Sequence, residues 1–168
     1  MKTLAISLSA LLLMTLANAS RAQAQSGNEG PRVRIDVGAS TGKRGDDTYT
    51  EGNVGINLSL AKGLVWRNAI FGRFQTDTKD VYGLDSSIRG VLDFGDSRAG
   101  ASLFVAPGYR FTSDGVTDPA PLGEAGLTLR LGGLSVGGGI KTIFNELVHN
   151  GVENETQYFV TVGGGLNL

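Results

Sequence analysis

From Arg32 to the C-terminus, apolar residues recur at every second position in eight separate runs. That is the period of a strand, and nowhere in this stretch does the 3.6-residue period of a helix appear. The runs are Val33–Ser40, Asn53–Leu60, Leu64–Gln75, Leu84–Phe94, Ser102–Phe111, Glu124–Leu131, Leu134–Phe144 and Tyr158–Leu168. Their connections alternate in length. Gly42–Tyr49, Thr76–Val81, Ser113–Pro121 and Asn145–Thr156 read as long and polar, while Ala61–Gly63, Gly95–Gly100 and Gly132-Gly133 read as tight turns. Long and short in strict alternation predicts an all-β, up-and-down antiparallel barrel with one elaborated rim. An even strand number returns both termini to the short-turn rim.

Alternation alone does not say which face is outside, and a soluble barrel has the same period with the opposite sense. Three features point the apolar face outward. The strand charges share the polar face: Arg34, Asp36, Glu51, Arg67, Arg73, Asp85, Arg89, Asp93, Arg110, Glu124, Arg130 and Lys141. That face is rich in Gly and Ser, whereas a wetted exterior carries interspersed Lys and Glu. A narrow interior, with room for side chains only, suits small residues among paired charges. Finally, the outward aromatics avoid the strand centres. Trp66 and Phe94 belong near the short-turn rim, and Phe74, Tyr82, Tyr109, Phe111, Phe144 and Tyr158 near the long-loop rim. Ile70, Ile88, Val105, Leu127 and Ile140 take the middle. Two aromatic girdles around an apolar band predict a transmembrane barrel with a packed polar lumen.

The N-terminus agrees with export. Lys2 precedes the apolar stretch Leu4–Ala17, and small residues follow in Ala17-Asn18-Ala19 and Ala22-Gln23-Ala24. Cleavage after Ala24 is expected; an uncleaved anchor is the alternative, though the stretch is shorter than the ~20 residues of a spanning helix. This divides the chain into a signal peptide (1–24), a short lead (25–31) and the barrel (32–168). The mature part carries 13 basic and 16 acidic residues, so the basic footprint of a nucleic-acid binder is missing. With no cysteine there is no disulfide, no thiolate metal site and no lipoprotein anchor. Glycine makes up about 18% of residues 27–168 without a three-residue period, against a usual ~7%.

On these runs, turns and girdles the chain resembles the small eight-stranded outer-membrane barrels of Gram-negative bacteria, the OmpX-like proteins and the OmpA transmembrane domain. The likeness is one of architecture across Arg32 to Leu168. It implies outer-membrane lipid and lipopolysaccharide as surroundings, a monomer, and a C-terminal strand read by the barrel-insertion machinery. Such barrels usually end in an aromatic residue. Here Tyr158, Val160, Val162, Leu166 and Leu168 keep the alternation, but the last residue is Leu.

Some members of this group deacylate or palmitoylate lipid A, using His with Ser or an acid on the wall or loop rim. The single histidine, His149, precedes the turn signal Asn150-Gly151 and reads as a solvated loop residue. Asp85 and Asp93 flank Arg89 on one face. A paired-carboxylate acid/base site is one reading, and a lumenal ion-pair ladder the preferred one. The glycine triplets at 137–139 and 163–165 open no helix, so they are strand glycines rather than phosphate cradles. Asp46, Asp47, Asp77, Asp80, Asp114, Asp118, Glu146, Glu153 and Glu155 are assigned to the long-loop rim against Lys43, Arg44 and Lys79. They form a solvated acidic rim or a divalent-cation bridge to phosphates. The expectation is a structural or surface-interaction barrel of the envelope with no catalysis, cofactor or metal. A narrow passive channel comes second and a lipid A enzyme third.

Overall fold

In a computed structural model of the chain, residues 33–74, 80–95, 99–113, 119–131 and 134–166 are described. The signal and lead segments, Arg32 and the C-terminal Leu168 lie outside them. Eight strands follow one another: β1 (Val33–Arg44), β2 (Asp47–Ala61), β3 (Leu64–Phe74), β4 (Val81–Gly95), β5 (Ala99–Thr112), β6 (Ala120–Leu131), β7 (Leu134–Ile143) and β8 (Glu155–Leu166). Each pairs antiparallel with the next, and β1 pairs with β8 to close the barrel in the order β1 to β8. The fold is the up-and-down barrel that the alternation predicted. Closure leaves no edge strand to template aggregation.

The first long connection is not a loop. β1 and β2 run in register as far as Arg44↔Asp47, so only Gly45 and Asp46 make the turn. Gly45 takes the positive φ of +59° required at the first central position of a primed hairpin turn. Gly42–Arg44 and Asp47–Tyr49, read above as loop, are strand. At the opposite rim Lys62-Gly63 turns with Gly63 at φ +74°, and the extra residue Leu60 makes a bulge between Ser59 and Ala61. The β4–β5 ladder skips Ile88 and Arg89 opposite Ala106 and Pro107, because Pro107 has no N–H to donate. The β7–β8 connection carries a short 3-10 turn, Asn145–Leu147. Gly132 and Gly133 lie outside the described residues.

Burial is inverted relative to a soluble domain. Ile70, Val160, Leu131, Leu92, Val37 and Leu127 point outward and are exposed, up to 65% for Ile70. Arg110, Glu51, Asp85, Glu155 and Gln157 point inward and are 0–2% exposed. A small apolar cluster, Ala120, Leu122 and Ile143, closes the lumen near the loop rim.

Candidate functional site

The lumen is the most organised part of the molecule, and every strand contributes to it. Arg110 on β5 is its hub. Its guanidinium donates to Asp85 on β4 at 2.7 and 2.8 Å and to Glu51 on β2 at 2.9 and 3.0 Å. Its plane lies over the Phe71 ring, 3.9 Å from the centroid. Glu51 also accepts from Arg73 Nε at 2.9 Å, and Arg73 Nη2 donates to Glu155 on β8 at 2.5 Å. On the other side Asp85 accepts from Lys141 Nζ at 2.7 Å. Lys141 stands 3.6 Å from Glu124, which pairs with Arg89 at 2.9 Å. The result is one unbroken file of alternating sign: Glu155, Arg73, Glu51, Arg110, Asp85, Lys141, Glu124, Arg89. Each buried charge thus has an opposite neighbour, which is the condition for placing ions in a low-dielectric interior.

Asp36 and Arg67 form a second unit. Arg67 donates to Asp36 at 2.7 and 3.3 Å and to Asn53 Oδ1 at 3.0 Å, while Asn57 Nδ2 donates to Asp36 at 2.5 Å. Gly55 makes room for this unit: a Cβ there would stand 2.7 Å from Asp36 Oδ1 and 2.8 Å from Arg67 Nη2. Near the short-turn mouth, Arg130 bonds Asp93 and also donates to Ser102 Oγ at 2.8 Å, and Ser102 donates to Asp93 at 2.6 Å. This last pair is wetter, with the Asp93 side chain 49% exposed.

Several sequence assignments change. Glu155 is not on the loop rim but buried in the lumen, accepting from Tyr49 Oη at 2.6 Å as well as from Arg73. The pairing of the lumenal charges, left open by the sequence, is set by register: Arg89 pairs with Glu124, while Asp85 lies beside Arg110 and Asp93 beside Ser102. Arg34 makes no ion pair among the described residues; second in β1 at the mouth, it is exposed and solvated. The lumen also holds four aromatics that the sequence analysis left out: Tyr49, Phe71, Phe104 and Phe159. Parity was the available signal, since Phe71 shares its face with Arg67 and Arg73. Arg73 lies 3.7 Å over the Tyr49 ring and Arg89 4.4 Å over Phe104.

On the wall, Trp66, Phe74, Tyr82, Phe94, Tyr109, Phe111 and Tyr158 are all exposed. Phe94 lies beside the end of β4 at the short-turn rim, and Phe74 and Tyr82 lie at the loop ends of β3 and β4. Phe144 falls one residue past β7, half-buried over the outward side of Gly123. Of the loop charges, Lys43 and Asp46 approach at 3.7 Å, and Arg44 reaches in to Glu155 at 3.4 Å. Asp77, Lys79, Asp114 and Asp118 lie outside the described residues. Among the described residues no group of His, Asp or Glu has metal-site geometry. His149 donates from Nε2 to the Pro119 carbonyl at 3.2 Å, a contact that ties two loops together.

No protein-family model matches the sequence, and no curated protein sequence does. Solved structures match in fold. A de novo designed transmembrane β-barrel superposes with a TM-score of 0.62 at 11% identity, over 83% of this chain and 98% of that one. The outer membrane enzyme PagL gives 0.57 at 13% identity, over 78% and 99%. Neisserial surface protein A gives 0.55 at 11%, over 85% and 100%. The architecture is that of the small eight-stranded outer-membrane barrels.

Proposed function

We infer that this protein is an outer-membrane barrel whose wall lies in lipid, and that it serves the bacterial envelope structurally or through its loops rather than by catalysis. The observation that carries this is the inversion of burial: Ile70, Leu127 and Val160 bare on the wall, Arg110, Glu51 and Asp85 sealed inside. In water such a wall is an apolar patch encircling the molecule; in a bilayer it is the matching surface. Apart from the bulge at Leu60 and the gap at Ile88-Arg89 opposite Ala106-Pro107, the strands pair continuously around the closed ladder, which suits hydrocarbon. The surroundings are then outer-membrane lipid and lipopolysaccharide, reached by export through the inner membrane and by the insertion machinery acting on the last strand.

Spin labels on single cysteines test the reading, the chain having no cysteine of its own. Labels at Leu103, Leu127 and Val160 in reconstituted vesicles are expected to be relaxed by membrane-dissolved oxygen and shielded from a water-soluble relaxant. A label at the exposed loop residue Asn150 gives the reverse. Wall labels shielded from both reagents, or open to the aqueous one, overturn the assignment. The filled lumen predicts no sustained discrete openings in planar bilayers, which argues against the passive channel. On this reading the lumenal acids, held by Arg110, Arg73 and Lys141, serve the fold rather than acid/base chemistry.

A further inference from the structure

The outer wall carries one polar blemish. Around the loop end of the barrel, Thr41, Lys43, Thr48, Thr50, Thr142 and Thr156 form a polar collar. Below it, and apart from the polar tips of the girdle aromatics, the outward side chains of the described strands are apolar or absent at every position but two. Those are Asn68 on β3 and Ser86 on β4, direct cross-strand partners. They sit at mid-height. The ladder row that contains them climbs from Ile35, third residue of β1 at the short-turn end, through Ile56, Asn68 and Ser86 to Tyr109 near the loop end of β5. Trp66 and Ile70 flank Asn68 along its strand, and Leu84 and Ile88 flank Ser86.

Ser86 is engaged: its Oγ accepts from the Trp66 indole N–H at 3.1 Å. Neither amide atom of Asn68 has a partner among the described residues. At the centre of a bilayer the lipid offers neither donors nor acceptors, and water is scarce, so an unmet carboxamide is costly there. The group that satisfies it must come from another protein. A carboxamide is its own complement, with two N–H donors and one acceptor. Two chains inserted in the same direction are related by a two-fold axis along the membrane normal, which sets like residues face to face.

We propose that Asn68 marks a homodimer contact in the plane of the membrane, with a second copy of this chain seated on the β3–β4 wall and the two Asn68 amides bonded across the axis. This rests on the membrane reading above and replaces the monomer expected from sequence. Ser86 and Trp66 border the contact, the Trp66 indole N–H being taken up by Ser86 Oγ.

Cross-linking in phosphatidylcholine vesicles tests it. A single cysteine at Ile70, beside Asn68, is expected to give a covalent dimer with a bifunctional thiol reagent. One at Val160, on the opposite wall, is not. Adding Asn68→Leu to the Ile70→Cys chain should lower dimer yield about three- to tenfold, the worth of hydrogen bonds between proteins in a membrane. Asn68→Gln should retain the dimer. Both variants place a tolerated side chain on the wall, and unfolding in urea checks that they fold. Equal yields from the two walls, or a yield indifferent to Asn68→Leu, overturn the dimer. A spin label at Val160, away from the contact, separates the two inferences: lipid exposure there with no cross-linking at Ile70 removes the dimer alone, and absence of lipid exposure there removes the membrane reading with it.

Discussion

The two ends of the lumen are built on different terms. Toward the loops, Glu155, Arg73, Glu51, Arg110, Asp85 and Lys141 interlock among Tyr49, Phe71 and the Ala120–Leu122–Ile143 cluster, and all of them are buried. Toward the short turns, Arg130 and Asp93 meet at a wet mouth, and Arg34 stands in solvent without an ion pair among the described residues. The same residue types occupy both ends. What differs is access to water, and this decides what a charge is worth. Where water is excluded, a charge must keep its partner or destabilise the fold; where water enters, losing a partner costs little.

The contrast is breakable by substitution, with urea unfolding of the vesicle-inserted protein as the measure. Arg110→Ala leaves Glu51 and Asp85 each short of a cation and should destabilise by about 3–5 kcal/mol. A loss near zero would mean that water reaches the network. Arg89→Ala should cost less, roughly 1.5–3 kcal/mol, because it takes a cation from one carboxylate rather than two. Gly55→Ala forces a methyl against the Asp36–Arg67 pair and should cost about 1–3 kcal/mol by overpacking. Tolerance there would show that the pair can move aside. At the mouth, Arg130→Ala should shift stability by no more than about 1 kcal/mol, and by less still as salt is raised. If Arg130→Ala matched Arg110→Ala, the two ends would not differ in solvation and the comparison would fail.

Much of the architecture was legible because a bilayer imposes a strict code. Period-two alternation survives wherever one face meets hydrocarbon, and the eight strands were found there. Above the hydrocarbon the code lapses. Lys43 and Thr48 face outward yet are polar, so the tip of the β1–β2 hairpin read as a loop, and Glu153-Asn154-Glu155 hid the first residue of β8 in the same way. Lumenal parity placed the charges on one face but not their pairing. Pairing depends on stagger between strands: Arg73 reaches Glu155 across 82 residues of sequence, which no spacing rule encodes. Gly42 read as loop and Gly55 as a generic small residue. They are vacancies cut to size, the first for the Tyr49 ring and the second for Asp36 and Arg67.

The meeting of β1 with β8 sets the order in which the chain can become itself. Seven pairings join neighbours in sequence and can form as each hairpin arrives, whereas the eighth joins Val33 to Leu166 and must wait for the whole chain. Glu155 is the first residue of that late strand. Before it docks, the Tyr49 hydroxyl lacks its acceptor and Arg73 has only Glu51. Docking therefore zips the seam and completes the charge file in one event. An open sheet missing its last strand is not a smaller version of the barrel: it has two unpaired edges and unmatched ions, and the arrival of β8 resolves both.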